Sequence, residues 1–390
     1  MKTKIAILLL LLGLKNIQAQ IAEIPFELKN NLILLKVKVN DIVGNRTFLF
    51  DTGATSDLLD TSTANKLGLK PNYKQDVAGA GGSKSYDIIL SQKLTLNSQI
   101  SIDETHLVLA DLSKIKERLE RDFDGIIGYS LLKKYITKID YEHQKILLFD
   151  KIGQIDLSGY KSIPFTFDNG IPIPQFDINI KLKNGQSFTD KILFDSGAGL
   201  TLLINTPYNN KNEISKNAGK SLIESFENLH GKSVSESIAI KSMQINDFNF
   251  GEMIVSIAHD KAGVSSYKNY LGILGADIIS KFDVVLDYST STLYLKPNKT
   301  FDQPFEFPLS GIKLKKRDNK IIVNRVQKTS SAYKKGIRKG DELIAINNDT
   351  SKNLQMYRDY LKKENNVVNM LIKSTAGNTK KIDLKLKRLL

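Results

Sequence analysis

Apolar and polar residues alternate along most of the chain over short stretches, a pattern that predicts strands rather than long helices. Residues 32–39 read LILLKVKV, and the spacing of Leu35, Val37 and Val39 is typical of a strand with one buried face. The dipeptides Gly44-Asn45 and Asn184-Gly185 have the residue types of tight turns. The pattern therefore predicts a mostly β protein built from hairpins.

The same strand pattern occurs twice. Each copy begins with IPF, passes through a strand, a turn and a second strand, and ends in FDTGA or FDSGA. The aspartates of these two motifs, Asp51 and Asp195, are 144 residues apart. Further along, GIIG and GILG place Gly125 and Gly272 74 and 77 residues after the aspartates. This repeat is too long for a solenoid and indicates two homologous lobes in tandem.

Each aspartate follows a buried strand that carries its carboxyl group to the edge of a lobe. Gly53 and Gly197 permit turns that larger side chains would block. If the two lobes pack as a pseudo-dimer, Asp51 and Asp195 meet on its axis and share one proton. One carboxyl group then acts as a general base on a water molecule, and the other as an acid toward a carbonyl oxygen.

These motifs give the chain a family resemblance. DTGA and DSGA, each paired with its own apolar-apolar-Gly element, resemble the pepsin and retropepsin aspartic proteases over residues 24–297. The resemblance implies a mostly β, bilobal pepsin-like fold with an extended peptide lying across the two aspartates. It also implies that Thr52 and Ser196 lock the two aspartate loops together. Gly125 and Gly272 are implied to pack beneath these loops as structural supports rather than as catalysts.

Members of the family usually cover the cleft with a glycine-tipped hairpin, the flap. The stretch VAGAGGSKSYDIIL at residues 77–90 is the candidate, with Gly79, Gly81 and Gly82 at its tip and Tyr86 facing substrate. A flap excludes water and binds the substrate backbone. The alternative is a plain surface hairpin. In the second lobe, LHGKS occupies a comparable place and has fewer glycines.

Alanine follows the glycine in both motifs, at Ala54 and Ala198, where many pepsins have a hydroxyl residue. Loss of that possible hydrogen-bond donor removes a stabiliser of the carboxylate anion and raises its pKa. We therefore predict an activity optimum less acidic than that of pepsin.

The end of the chain has a different pattern. GIRKGDELIAINN at residues 336–348 resembles a PDZ domain, and the resemblance covers residues 305–390. PDZ domains bind peptides by adding a strand to an open sheet edge. The peptide-binding residues are predicted to be Gly311, Ile312 and Lys313. This stretch departs from the usual glycine-rich loop, so binding of a free C-terminus stays open. The domain recruits substrate, gates the cleft or binds a partner.

The N-terminus predicts export. A short basic segment precedes the apolar residues 5–14, which are too few to span a bilayer, and Ala19 offers a small residue before a cleavage point. We interpret residues 1–19 as a signal peptide, with a buried N-terminal helix or an uncleaved anchor as alternatives. The two lobes then span 20–155 and 156–300, and the mature protein is expected to be periplasmic or extracellular, with no stable membrane anchor.

Composition narrows the function further. The chain has no cysteine, which rules out disulfides, thiolate metal sites and a cysteine nucleophile. Its net charge is +14, but the lysines are scattered and do not alternate with aromatic residues, so no nucleic-acid partner is expected. The four histidines form no metal-binding motif, and no metal or cofactor is expected.

The sequence thus predicts a secreted aspartic endopeptidase with a C-terminal PDZ domain, acting on peptide or protein substrates. Two alternatives stay open. One is a non-catalytic peptide-binding scaffold of the same fold, and the other is an enzyme that hydrolyses another amide, such as a cell-envelope peptide.

Overall fold

The structure is a computed structural model that describes residues 20–79, 82–228, 231–261 and 263–390. The proposed signal peptide, residues 1–19, lies outside the described residues. The strands of the first lobe are β1 (Ala22–Lys29), β2 (Leu32–Val39), β3 (Arg46–Phe50), β4 (Asp57–Asp60), β5 (Tyr73–Gly79), β6 (Gly82–Thr95), β7 (Ser101–Ala110), β8 (Gly125–Ile127), β9 (Ile136–Asp140) and β10 (Lys145–Phe149). Its helices are α1 (Thr61–Lys66), α2 (Ser113–Leu119) and α3 (Tyr129–Leu132).

The second lobe is built from a similar set of strands and helices. Its strands are β11 (Lys161–Pro164), β12 (Gln175–Leu182), β13 (Ser187–Phe194), β14 (Leu202–Ile204), β15 (Ser221–Asn228), β16 (Gly231–Ile245), β17 (Phe248–Phe250), β18 (Met253–Ala258), β19 (Gly272–Leu274), β20 (Phe282–Asp287) and β21 (Thr292–Pro297). Its helices are α4 (Thr206–Asn212), α5 (Ile214–Asn217) and α6 (Ala276–Ile279). Short 3-10 turns lie at 152–154, 168–170 and 264–266.

The strands of the two lobes are arranged in the same order. In the first lobe the sheet runs β2-β3-β8-β4-β7-β6-β5, and in the second it runs β12-β13-β19-β14-β18-β16-β15. Each lobe also has a long strand, β6 or β16, that pairs with β2 or β12 as well as with its hairpin partner. The parallel pairs β3–β8 and β13–β19 place the end of each aspartate-bearing strand beside a glycine element. The sequence repeat is therefore a repeat of topology.

A shared sheet joins the lobes. Its order is β1-β10-β9-β20-β21-β11, and the central antiparallel pair β9–β20 joins one strand from each half of the chain, with Ile139 opposite Val284. These strands are rich in β-branched and leucine residues, and both central side chains are fully buried. The interior of both lobes forms one continuous hydrophobic core, so the lobes are a single packed unit.

The C-terminal domain has its own core. Its sheet runs β22 (Ile312–Arg317), β23 (Lys320–Val326), β24 (Glu342–Ile346), β25 (Val367–Lys373) and β26 (Thr379–Lys385), with helices α7 (Ser331–Lys334) and α8 (Leu354–Tyr360). Tyr357 of α8 is fully buried and donates its hydroxyl to the Asp349 carbonyl oxygen at 2.8 Å. Gly340-Asp341 forms the turn before β24, with Gly340 at a φ of 94°.

The last residues of the chain dock this domain on the second lobe. Leu389 and Leu390 pack with Leu222 and Ala239 in a small apolar cluster. Arg388 adds an ion pair to Glu252 at 2.8 Å. The domain thus lies against the second lobe.

The predicted fold class is confirmed: the protein is mostly β, with two like lobes followed by a PDZ domain. Among the residues that the structure describes, no helix is long and apolar enough to cross a membrane.

Candidate active site

The two predicted aspartates lie at matching positions in the two lobes. Asp51 follows β3, and its backbone N–H donates to the Ile127 carbonyl at 2.9 Å. Asp195 follows β13, and its N–H donates to the Leu274 carbonyl at 3.0 Å. Parallel pairing with β8 or β19 therefore fixes the point at which each strand ends. The structure brings the two carboxyl groups together within hydrogen-bonding distance.

The glycine after each motif hydroxyl is required by this close approach. A Cβ added to Gly53 would lie 2.5 Å from Cγ of Asp195, and one added to Gly197 would lie 2.3 Å from Cγ of Asp51. Each glycine N–H donates to the carboxyl group of its own loop, at 2.7 Å for Asp51 Oδ1 and 2.9 Å for Asp195 Oδ1. Each carboxyl group thus rests against the opposite loop's backbone.

Thr52 and Ser196 cross-link the two loops. The Thr52 N–H donates to Ser196 Oγ at 3.1 Å, and the Ser196 N–H donates to Thr52 Oγ1 at 2.9 Å. The Thr52 hydroxyl donates to the Phe194 carbonyl at 2.9 Å, and the Ser196 hydroxyl to the Phe50 carbonyl at 3.4 Å. Both side chains are buried. This reciprocal network fixes the relative position of the lobes at the aspartate pair.

The environment favours a shared proton. Burial raises the pKa of Asp51 and of Asp195, and the negative charge of Asp51 raises the pKa of Asp195 further, well above its ordinary value of 3.8. Two adjacent carboxylates in a poorly solvated site cannot both ionise easily, so the pair holds one proton over the pH range between its two titrations. One carboxylate and one carboxylic acid then face the cleft.

Both glycines of each apolar-apolar-Gly element are closely packed. A Cβ on Gly125 would lie 2.5 Å from the Leu58 carbonyl oxygen, and one on Gly272 would lie 1.8 Å from that of Leu203. The second glycine of each element was not singled out from the sequence. A Cβ on Gly128 would lie 2.1 Å from the Asp51 carbonyl oxygen, and Gly275 is equally confined by the second aspartate loop. The repeated GxxG spacing was the signal for both.

The predicted flap is a hairpin of β5 and β6, with Gly79 opposite Gly82. Gly81 lies outside the described residues. Tyr86 packs against a cluster of side chains that includes Ala54 of the first aspartate loop, and burial raises its pKa. The hairpin thus lies on the same side of the lobe as the aspartates. The second lobe has a hairpin of similar length, formed by β15 and β16, with Asn228 opposite Gly231.

The structure adds a buried carboxyl group to the site. Asp57 is 2% exposed, accepts a hydrogen bond from Thr105 Oγ1 at 2.8 Å and accepts another from the Gly128 N–H at 3.3 Å. Burial raises its pKa. Asp57 thereby ties the glycine element to the first aspartate loop. The sequence signal was an acidic residue directly before the apolar pair in TSDLL.

Helix α2 brings a cation to the cleft. Arg118 lies close enough to Asp195 for the two charges to interact, while its surroundings desolvate the guanidinium and lower its pKa. Its side chain is nonetheless open to solvent, as expected for a residue lining a cleft. Leu119 lies 3.8 Å from a Cβ built on Gly199, beside the second aspartate loop. Sequence reasoning missed both residues because α2 carries no motif.

The predicted PDZ-binding residues lie at the start of β22. Gly311 has a left-handed φ of 71°, and a Cβ there would lie 2.4 Å from Cβ of Ser330. The Ile312 N–H donates to Ser310 Oγ at 3.1 Å, and Lys313 pairs with Arg325 in the β22–β23 ladder. The Ile312 N–H therefore already has a hydrogen-bond acceptor within the domain. It would have to give up this bond to bind a ligand carboxylate.

Comparisons with known proteins distinguish the same two parts of the chain. Residues 35–131 match a family model described as aspartyl protease, and residues 304–373 match a PDZ domain model. These matches confirm the resemblance of the chain to aspartic proteases and PDZ domains. Among solved structures, an aspartic proteinase from Irpex lacteus is 13% identical, covering 72% of this chain and 98% of its own, with a TM-score of 0.45. No curated protein matches the chain.

Proposed function

We propose that the protein is an exported aspartic endopeptidase in which Asp51 and Asp195 activate one water molecule for attack on a peptide bond. The observation that supports this most directly is the contact between the two carboxyl groups, each held by its own glycine N–H and facing the opposite loop. Peptide binding is the function common to the two matched families.

The chemistry follows from the single shared proton. The ionised carboxylate accepts a proton from water as the water oxygen bonds to the peptide carbonyl carbon. The protonated carboxyl group donates to the carbonyl oxygen, which gives a neutral tetrahedral intermediate. When the carbon–nitrogen bond breaks, the carboxyl group that took the proton from water gives it to the leaving amine. The other group, now a carboxylate, accepts a proton from a hydroxyl of the intermediate, so the pair again holds one proton. No group beyond the two side chains and water is needed for this balance.

The flap and α2 complete the proposed cleft. The β5–β6 hairpin is positioned to cover a peptide lying across Asp51 and Asp195, and Tyr86 packs beside the first aspartate loop. Water exclusion by such a lid strengthens the electrostatic interactions within the site. The PDZ domain supplies a second peptide-binding surface at its sheet edge.

Cleavage of a diverse peptide library between pH 3 and 8 tests the proposal. We expect the chain lacking residues 1–19 to cleave peptides, and Asp51→Asn and Asp195→Asn each to lose at least about 10³-fold in rate, since each removes one half of the acid–base pair. Asp156→Asn, which changes an exposed aspartate, is the matched control.

Retention of cleavage in either dyad variant would contradict the mechanism. Absence of cleavage at every pH, together with binding of the library peptides, would favour the alternative of a non-catalytic peptide-binding scaffold. Export is tested separately, by determining the N-terminal residue of the protein recovered from the periplasm or the medium of an expressing cell.

A further inference from the structure

We propose that the PDZ domain of this chain prefers an acidic extended segment at its β22–α8 edge, and that Glu117 of α2 and Glu120, which directly follows α2, occupy this edge in the present conformation. On this view the first lobe supplies an internal competitor for the PDZ ligand. The inference concerns binding and does not require the aspartate pair to be catalytic.

The first observation is the position of β22. It is an outer strand of the five-stranded PDZ sheet, so one side of its backbone has no strand neighbour within that sheet. Such an edge accepts an additional strand through main-chain hydrogen bonds. Helix α8 packs beside β22. The strand reads IKLKKR, so the side chains along this edge are strongly basic. Charge complementarity therefore favours an acidic ligand.

The second observation is what holds this edge now. The Arg358 guanidinium on α8 donates to both carboxylate oxygens of Glu120, at 2.8 and 2.6 Å. It also donates to the Leu314 carbonyl of β22, at 2.8 Å. Lys315 of β22 lies 3.9 Å from the Glu117 carboxylate. Two acidic side chains, one in the last turn of α2 and one at the residue that follows it, thus reach the basic edge from the first lobe.

These contacts make the two occupants mutually exclusive. A segment that adds to β22 competes with Arg358 for the Leu314 carbonyl. If the segment carries carboxylates, it also competes with Glu120 for the guanidinium, which binds a carboxylate through two parallel hydrogen bonds. The Glu120 side chain is 46% exposed and that of Arg358 is 30% exposed. Solvent-exposed ion pairs are weak, so a ligand that adds backbone hydrogen bonds is able to displace this one.

Displacement has a consequence in the first lobe because α2 has a second set of contacts. The helix packs against β15 of the second lobe, and Leu119 lies beside Gly199 of the second aspartate loop. Glu117 and Glu120 therefore anchor to the PDZ domain the same helix that lines the cleft. Occupation of the β22 edge by a ligand removes that anchor, and α2 is expected to exchange its amide hydrogens faster.

The test uses the full chain from residue 20 in an Asp51→Asn background, so that the probe is not cleaved. The probe is a fluorescein-labelled decapeptide of alternating valine and glutamate, and the neutral comparison replaces glutamate with glutamine. Binding is measured by fluorescence anisotropy. We expect the acidic probe to bind saturably, more tightly than the neutral one.

Three variants locate the surface. Glu120→Gln is expected to tighten binding of the acidic probe about three- to fivefold, since it removes the carboxylate that competes with the probe for Arg358. The gain is modest because an exposed ion pair is weak. Arg358→Gln is expected to weaken it at least about tenfold, since the variant removes a bidentate charge-assisted site. Glu142→Gln, which breaks the exposed Glu142–Lys299 pair of 2.9 Å on the lobes, is expected to have no effect.

Hydrogen exchange of residues 113–119 provides the second readout. We expect probe binding to increase exchange in this helix, and Glu120→Gln alone to produce part of that increase. The proposal is overturned if Glu120→Gln binds the acidic probe no more tightly than Glu142→Gln, or if saturating probe leaves the exchange of α2 unchanged. Glu120 is exposed, so its variant is expected to fold and keeps the test decisive even if Arg358→Gln does not.

Discussion

The two lobes have the same strand order but differ in some of the side chains near their aspartate loops. Their aspartate loops have matching glycine contacts, matching backbone hydrogen bonds and reciprocal hydroxyl contacts. Six positions after the aspartate, however, the first lobe has buried Asp57 where the second has Thr201. The lobes thus share the contacts that hold the two aspartates, and they differ in the side chains that support each loop.

A second difference lies three positions further along. Asp60 of the first lobe accepts a hydrogen bond from the Leu112 N–H at 3.0 Å and lies 3.4 Å from the Lys116 ammonium group. It thereby holds the start of α2 against β4. The second lobe has buried Ile204 at this position, which packs in the core instead. An acidic residue in one repeat therefore anchors the helix that reaches both the cleft and the PDZ domain.

The shared glycine contacts give the largest expected effect. Gly53→Ala and Gly197→Ala each place a methyl group within 2.5 Å of the opposite carboxyl carbon. We expect either change to lower peptidase activity by about 10²-fold or more, because it displaces the carboxyl groups from their relative position. Gly251→Ala, at a site with nothing within 4 Å of the added Cβ, serves as control. Unequal losses in the two variants, measured as kcat/KM, would show that the lobes do not contribute equally.

The hydroxyl network gives a smaller and unequal effect. Thr52→Val removes a buried hydroxyl that donates at 2.9 Å and accepts at 2.9 Å, and we expect it to lower the free energy of unfolding by about 2–4 kcal/mol. Ser196→Ala removes longer contacts of 3.4 and 3.1 Å and is expected to cost about 1–2 kcal/mol. Urea unfolding measures both, with exposed Thr379→Val as control. Equal losses would contradict the asymmetry inferred from these distances.

The next largest effect on stability is expected at Asp57 and its counterpart Thr201. Thr105→Val leaves Asp57 Oδ2 without its hydroxyl donor, and we expect a loss of about 1–3 kcal/mol because a buried polar group becomes unsatisfied. Thr201→Val removes one hydrogen bond to the Ile254 carbonyl, with an expected loss of about 1 kcal/mol. Thermal unfolding compares the two variants directly. A larger loss in Thr201→Val would mean that Asp57 is not a principal support of the first loop.

The coupled aspartates give the smallest effect on stability, together with a change in its pH dependence. Asp195 has a higher pKa in the folded protein than in the unfolded chain, so the folded state binds more protons and stability falls as pH rises from 3.8 through the folded pKa. Asp195→Asn removes this term. We expect its Tm at pH 7 to rise by about 2–4 °C, equivalent to about 1 kcal/mol, while activity is lost. A Tm at or below that of the wild type at pH 7 would contradict it.

The same shift determines the pH dependence of activity. The pair must hold one proton, so activity declines on the alkaline side when that proton is lost. Because the pKa of Asp195 is raised well above 3.8, we expect this decline at a pH well above the ordinary aspartate titration, in line with an optimum less acidic than that of pepsin. A pH–rate profile of kcat/KM with its maximum near pH 2 would contradict this.

Much of the architecture could be predicted from the sequence because its strand pattern and motifs occur twice. A strand pattern followed by D-[TS]-G and then by GxxG predicts a buried strand, a tight loop and a glycine support, and two copies predict two lobes. The resemblance carried by these motifs led to the aspartate pair, the hydroxyl residues and the hairpin at residues 77–90. The PDZ domain could also be predicted, because its turn and a core strand fall within one short stretch of the sequence.

The rest was decided by the tertiary structure, because it depends on contacts between residues far apart in the chain. Burial in the folded lobe raises the pKa of Asp57, and the Thr105 and Gly128 donors that bind its carboxyl group come from distant parts of the chain, which no local pattern encodes. Arg118 comes close enough to Asp195 for their charges to interact only because α2 packs against β15 of the second lobe. The pairing of Glu120 with Arg358 joins residues 238 positions apart. The sequence by itself determined which strands and loops form, whereas only folding determined which charges meet, because charge contacts depend on distance in space.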